Sequence, residues 1–308
     1  MSFKKIKTEA AVAFAKLICR CPLSVQMFMG RCVGRLVSWL PNKRKHIAQT
    51  NIRLCFPQLS CNDQKLLVKK NLVATGQGVS EMMAALWAAD KLVEQRFEVK
   101  GLLRLQEVLA SGKGCLLLSC HTTSIEWGIR GLNHALKQAN LPIGHMLARA
   151  NNNKQLESHY MDARKKFVDQ VIDKKDIRTL LRSVNAGHGV YYAPDQNFSY
   201  KCEFIPFFGQ PAATAKGPAK LAHSAKLRVI PWFCFRIGPT QWEIEICPVL
   251  NDRFQQRLPL LHLLGEGPGF RSSRGAHVQN PALFCGCQKK HECRALVLEE
   301  RSDTTFFV

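Results

Sequence analysis

The sequence predicts an α/β fold, a largely parallel sheet flanked by helices, with a helical, membrane-associated region at the N-terminus. Three observations predict it. From Phe97 onward short apolar runs alternate with helical segments. Several of those runs, such as Cys115-Leu116-Leu117-Leu118, are apolar at every position, as strands covered on both faces are. The preceding residues carry helical periodicity instead. With 308 residues the chain can bury one main core with appendages. The organisation expected is a helical membrane-associated region over 1–95, an α/β domain over 96–252, and an atypical tail over 253–308.

In chain order, the stretch 10–40 is apolar but broken by Lys16, Arg20, Pro22, Arg31 and Arg35. No uninterrupted run approaches the ~20 apolar residues that cross a bilayer, and no small-residue cleavage site follows a clean apolar run, so neither a span nor a signal peptide is expected. Val25, Met27, Phe28, Cys32, Leu36, Trp39 and Leu40 instead alternate with Arg31 and Arg35, and Lys43-Arg44-Lys45-His46 follows at once. Apolar bulk beside a polybasic flank fits a helix lying in a membrane interface; an ordinary core helix with a solvated basic loop has the same pattern.

Residues 62–95 read as a long helix capped by Asn62 or Asp63. Strands are expected at 114–119, 143–148, 168–172, 190–193 and 229–236, with helices at 126–136, 155–167, 177–185 and 216–224. Trp242, Ile244 and Ile246 alternate with Glu243 and Glu245, the pattern of an edge strand with one wet face. Past Asp252 the rhythm stops, and poor order is expected there.

Forty-four Lys and Arg against 23 Asp and Glu leave a formal charge of +21, which points to an anionic partner. Basic residues next to exposed apolar ones favour a lipid surface; nucleic acid, which would call for interleaved aromatics, is not expected. Thirteen cysteines are scattered along the chain, several in strand-like runs (Cys115, Cys120, Cys234), which reads as reduced buried thiols. The dense patch Cys285, Cys287, His291 and Cys293 lacks the two separated ligand pairs of a zinc site. No metal and no cofactor is assigned.

The chemistry is expected at the C-terminal ends of the strands. His121 ends the run Cys115–Cys120 and opens a turn into a helix that begins near Glu126. Five residues along a continuous helix would rotate Glu126 about 140° away from His121, but a turn can curl the chain back and bring the carboxylate to the ring. His121 is thus the candidate general base and Glu126 its partner, the alternative being a capping-loop histidine and a surface glutamate. Arg149 and Asp195 follow two further strands. Arg149 is a candidate for binding phosphate or an oxyanion; Asp195 reads either as a group that positions a loop or substrate or as local capping. No Gly-x-Ser-x-Gly elbow, phosphate-binding loop or dinucleotide fingerprint occurs, which disfavours hydrolase, nucleoside-triphosphatase and dehydrogenase chemistry. A base without a protein nucleophile suits direct attack by a substrate hydroxyl on an activated acyl group.

The ordered set of His121-x-x-x-x-Glu126, Arg149-Ala-Asn-Asn-Asn153, Tyr192-Ala-Pro-Asp-Gln196, Phe204-Ile-Pro-Phe-Phe-Gly209 and Pro211-Ala-Ala-Thr214, with Asn51-Ile-Arg-Leu-Cys-Phe-Pro57 upstream, resembles the late acyltransferases of lipid A biosynthesis over residues 25–250. The resemblance implies an acyl chain donated by acyl carrier protein to a hydroxyacyl group of a phosphorylated, Kdo-bearing disaccharide lipid, at the cytoplasmic face of the inner membrane. It implies His121 as base with Glu126, and Arg149, Arg164 and Asp195 as substrate-binding residues. Phe204, Phe207 and Phe208 read as lining of an acyl channel or as core. A glycerolipid or other glycolipid acceptor, and a nonenzymatic basic membrane- or nucleic-acid-binding protein, are the competing readings.

Three departures stand out. No proline follows Arg149 in its motif, Asn197-Phe198 replaces an acidic-aromatic pair, and nothing after Asp252 matches the family's closing Pro-Glu-Gln-Tyr-x-Trp segment. Residues 253–308 read as a different frame joined to a family N-terminal part, with low or no activity as the consequence. Translating the gene in its other frames checks this: the missing segment should appear in one of them.

Overall fold

Pro22 divides the first apolar stretch into α1 (Phe3–Ile18) and α2 (Leu23–Trp39), standing at the position just before the α2 helix, where its missing N–H costs nothing. The computed structural model describes residues 3–195 and 202–250. The cysteine patch, Gln196, Asn197-Phe198 and the tail from residue 251 lie outside the described residues. Asn42 caps α3 (Lys43–Cys55), accepting from the Lys45 N–H at 2.9 Å. Ser60, rather than Asn62 or Asp63, caps α4 (Cys61–Trp87); its hydroxyl accepts from the Asp63 N–H at 3.2 Å and donates to that residue's carboxylate at 2.6 Å. A single 3₁₀ turn, Asp90–Leu92, follows.

α2 lies against α4 at backbone contact. A Cβ on Gly30 would sit 2.6 Å from the Gly76 carbonyl oxygen, and one on Gly34 would sit 2.7 Å from that of Leu72. Only glycine permits this approach. Because α2 buries its glycine face, its large apolar side chains point outward: Val25, Phe28, Val33, Leu36, Trp39 and Leu40 are exposed, with Ile6, Phe14 and Leu17 of α1. Of the apolar positions expected to form the interfacial stripe, only Met27 is in the core. Among the described residues no helix is long and apolar enough to cross a membrane.

Then come β1 (Phe97–Lys100), α5 (Leu102–Ala110), β2 (Cys115–Leu118), α6 (Ile125–Gln138), β3 (His145–Ala148), α7 (Lys154–Arg164), β4 (Val171–Asp173), α8 (Ile177–Asn185) and β5 (Gly189–Tyr192). They continue as β6 (Cys202–Phe207), β7 (Gln210–Ala215), α9 (Gly217–Ser224), β8 (Val229–Gly238) and β9 (Gln241–Ile246). Seven strands form one sheet in the order β1-β9-β8-β2-β5-β3-β4. Only the β8–β9 pair is antiparallel, so the expected largely parallel α/β architecture is observed.

Residue alternation on β2 shows why its run is apolar throughout. Cys115 and Leu117 enter a core with Trp127, Trp232 and Trp242, whereas Leu116 and Leu118 enter a second with Leu180, Val190 and Val229 on the other face. The first core also takes in Leu23, Met27, Ala84, Ala85 and Ala88, so α2 and α4 share it with the sheet.

One expectation about the strands needs correction. β9 is not an edge strand: β1 pairs beside it, and Glu243, expected on a wet face, is buried and accepts from Lys100 Nζ at 2.5 Å. β6 and β7 form a separate antiparallel hairpin that turns at Phe208-Gly209. In it Phe204 is exposed, Ile205 packs with Cys120, Phe233 and Cys247, and Phe208 lies tilted against Phe56 at 5.0 Å between ring centroids.

Candidate active site

Parallel pairing of β2, β5 and β3 brings the C-terminal ends of three strands together, and each is followed by a singled-out residue: His121 after β2, Asp195 after β5, Arg149 after β3. Ser119 N–H donates to the Tyr192 carbonyl at 2.9 Å, extending the β2–β5 ladder towards the site. The chain then turns sharply, with the Thr122 N–H donating to the Cys120 carbonyl at 2.7 Å, and enters α6.

Asp195 grips His121 twice. One carboxylate oxygen accepts from the His121 backbone N–H at 2.8 Å, and the other makes a short hydrogen bond with ring Nδ1. The carboxylate is buried, while the imidazole side chain is 36% exposed, so the ring is fixed on one side and open on the other. With Nδ1 held as the donor, Nε2 is the basic nitrogen, and it has no protein partner among the described residues.

Glu126 does not take the place expected for it. Its carboxylate accepts from Arg164 Nε at 2.7 Å and from Arg164 Nη2 at 3.2 Å, a bidentate pair with both side chains 12% exposed. Among the described residues no hydrogen bond joins this pair to His121. The reason is local: Glu126 lies in the first turn of α6, where Arg164, at the last turn of α7, reaches it. Burial works against the guanidinium charge, but the Glu126 carboxylate, with Glu157, holds the Arg164 pKa above its ordinary value. Arg164 also lies over the Tyr160 ring at 5.7 Å. Arg149 stands apart, exposed, donating to Asn152 Oδ1 at 3.2 Å.

Beneath the turn lies a buried network that the sequence does not announce. Glu81 of α4, fully buried, accepts from Ser124 Oγ at 2.8 Å, Arg236 Nε at 2.6 Å and Trp242 Nε1 at 2.8 Å. It ties the start of α6 to α4 and to strands β8 and β9. Gly78, one turn before it, lies so close to the turn that a Cβ there would meet Thr123 Cβ at 2.8 Å. A polar residue at helical spacing among buried neighbours was the available signal, but Glu81 shares it with many solvated glutamates. Cys120, next to His121, is fully buried, and burial first, then the Asp195 charge, push its thiol well above the ordinary range. A thiol held protonated is no nucleophile.

The geometry therefore offers an oriented base with an open nitrogen, an anchored arginine and no activated nucleophile among the described residues. Residues 3–257 match the family of bacterial lipid A biosynthesis acyltransferases. The chain is 26% identical to the lipid A biosynthesis lauroyltransferase of Escherichia coli K12 over 218 residues, covering 70% of this chain and 69% of that protein. It is 27% identical to the palmitoleoyltransferase of the same strain over 215 residues, 68% of each chain, and 22% identical to its myristoyltransferase over 223 residues, 71% and 68%. With residues 3–257 matched, this chain belongs to the bacterial lipid A biosynthesis acyltransferase family.

Proposed function

We propose that the chain transfers a fatty acyl group from acyl carrier protein to a hydroxyacyl group of a lipid A precursor, with His121 as general base. The observation that carries this reading is the Asp195-held imidazole at the C-terminal edge of the sheet, its Nε2 without a partner among the described residues. Nε2 takes the proton of the acceptor hydroxyl as its oxygen attacks the thioester carbonyl. Asp195 stabilises the imidazolium so formed. When the tetrahedral intermediate collapses, the C–S bond breaks and the imidazolium returns the proton to the departing thiolate.

Glu126 enters this mechanism through Arg164, which it pins at the site, and Arg164 and Arg149 bind the anionic groups of the acceptor or the developing oxyanion. The apolar outer face of α2, next to exposed Lys43, Arg44 and Arg35, rests on an anionic lipid surface at the cytoplasmic side of the inner membrane, where the acceptor is embedded.

The experiment compares His121→Ala with the parent chain, purified in detergent and supplied with acyl carrier protein loaded with lauroyl groups and a lipid A precursor, product read by mass spectrometry. Loss of transfer with vesicle binding retained is expected. Unchanged transfer would overturn the reading.

A further inference from the structure

At the opposite edge of the sheet, where β3, β4 and β5 begin, three potential ligands meet. His145 is the first residue of β3, Asp169 lies two residues before β4, and His188 immediately precedes β5. These strands are neighbours in the order β5-β3-β4 and run parallel, so their starts lie side by side. The two imidazole rings stack with centroids 4.0 Å apart and planes 24° from parallel. A ring nitrogen from each and a carboxylate oxygen of Asp169 all lie within 4.8 Å of one another.

The hydrogen bonds around the cluster set the tautomers. His188 Nδ1 is 3.2 Å from the Ile143 carbonyl oxygen, which can only accept, so Nδ1 carries the proton. His145 Nδ1 is 2.9 Å from Ser183 Oγ. The Ser183 hydroxyl proton is already donated to the Thr179 carbonyl at 2.9 Å, so Ser183 Oγ accepts from His145 Nδ1–H. Each ring is therefore left with a lone pair on Nε2 and a protein acceptor on Nδ1–H, which is how metal-ligating histidines are oriented.

We propose that His145, Asp169 and His188 bind a divalent transition-metal cation, zinc being the ion best suited to two imidazoles, one carboxylate and a water. His145 is buried, His188 half-buried and Asp169 exposed, so the ion enters from the Asp169 side. Its place at the N-terminal strand ends, away from His121, gives it a structural role: it ties the starts of three adjacent strands together and stabilises the fold by its binding free energy.

The test titrates metal-stripped, full-length protein in detergent with Co²⁺ and then Zn²⁺. The expected result is visible Co²⁺ bands without a thiolate charge-transfer band, lost on adding Zn²⁺, and a higher thermal midpoint with Zn²⁺. Asp169→Asn, at an exposed position, and His188→Gln should each weaken Zn²⁺ binding at least about tenfold, the lower bound for loss of a mere outer-shell partner. The thermal shift should vanish with the binding. Absence of Co²⁺ bands, a thiolate band showing that cysteines hold the ion, or unchanged affinity in both variants would overturn the proposal.

Discussion

The two edges of the parallel sheet each bring histidine and carboxylate together, and they do so to opposite effect. At the C-terminal edge a buried Asp195 carboxylate holds Nδ1 of a half-open His121. At the N-terminal edge the Nδ1 atoms of His145 and His188 are held by neutral acceptors, a serine hydroxyl and a carbonyl. The first arrangement suits the proposed proton transfer at a single nitrogen; the second leaves two Nε2 lone pairs beside the Asp169 carboxylate, as the proposed cation needs. Whether the carboxylate is spent on Nδ1 or left over beside converging Nε2 atoms separates the two proposed uses.

The sharpest way to break this comparison is a double dissociation. His121→Ala should lower acyl transfer about 10³-fold or more while leaving Zn²⁺ affinity unchanged; His188→Gln should do the reverse, and steady-state kinetics with calorimetric titration read both. Next in size is the buried support of the catalytic edge. Glu81→Ala leaves Arg236 without its carboxylate in the core and should cost about 3–5 kcal/mol of stability, read by chemical denaturation. Glu126→Ala removes the carboxylate from the largely buried Arg164 and should cost less, about 2–3 kcal/mol, because that pair retains some solvent contact. Smallest is the membrane face. Trp39→Ser, at a side chain 74% exposed, should weaken binding to anionic vesicles by about tenfold without changing the melting temperature.

The sequence displays the sheet well and the partners poorly. β2, β3, β5 and β8 were legible as mostly apolar runs, β2 being apolar at every position because both its faces are covered, and the helices between them because their apolar residues recur with helical period. β9 misled because Glu243 looks wet: its salt bridge with Lys100 is formed by a strand far earlier in the chain. The hairpin β6–β7 was not legible as strands: Phe204, Phe207 and Phe208, which carry no alternation, read only as channel lining or as core. His121, Arg149 and Asp195 were legible as residues at strand ends. The pairing within the site was not: Glu126 is near His121 in sequence, but Asp195, just past the end of the adjacent strand, is the carboxylate that bonds the ring. Strand order decides that, and no local spacing encodes it. Arg164 was suspected for its place in the family pattern, but its pairing with Glu126, made between the ends of two helices far apart in the chain, carries no local signal.

The proposal that Asp195, rather than Glu126, orients His121 as the base is tested most directly by the steady-state kinetics of acyl transfer in Asp195→Asn and Glu126→Gln. Asparagine on Nδ1 can no longer stabilise imidazolium, so Asp195→Asn should lower kcat about 10²-fold or more. Glu126→Gln should leave kcat nearly unchanged, with its effect in KM. An unaltered kcat in Asp195→Asn together with a kcat about 10²-fold lower in Glu126→Gln would contradict the account.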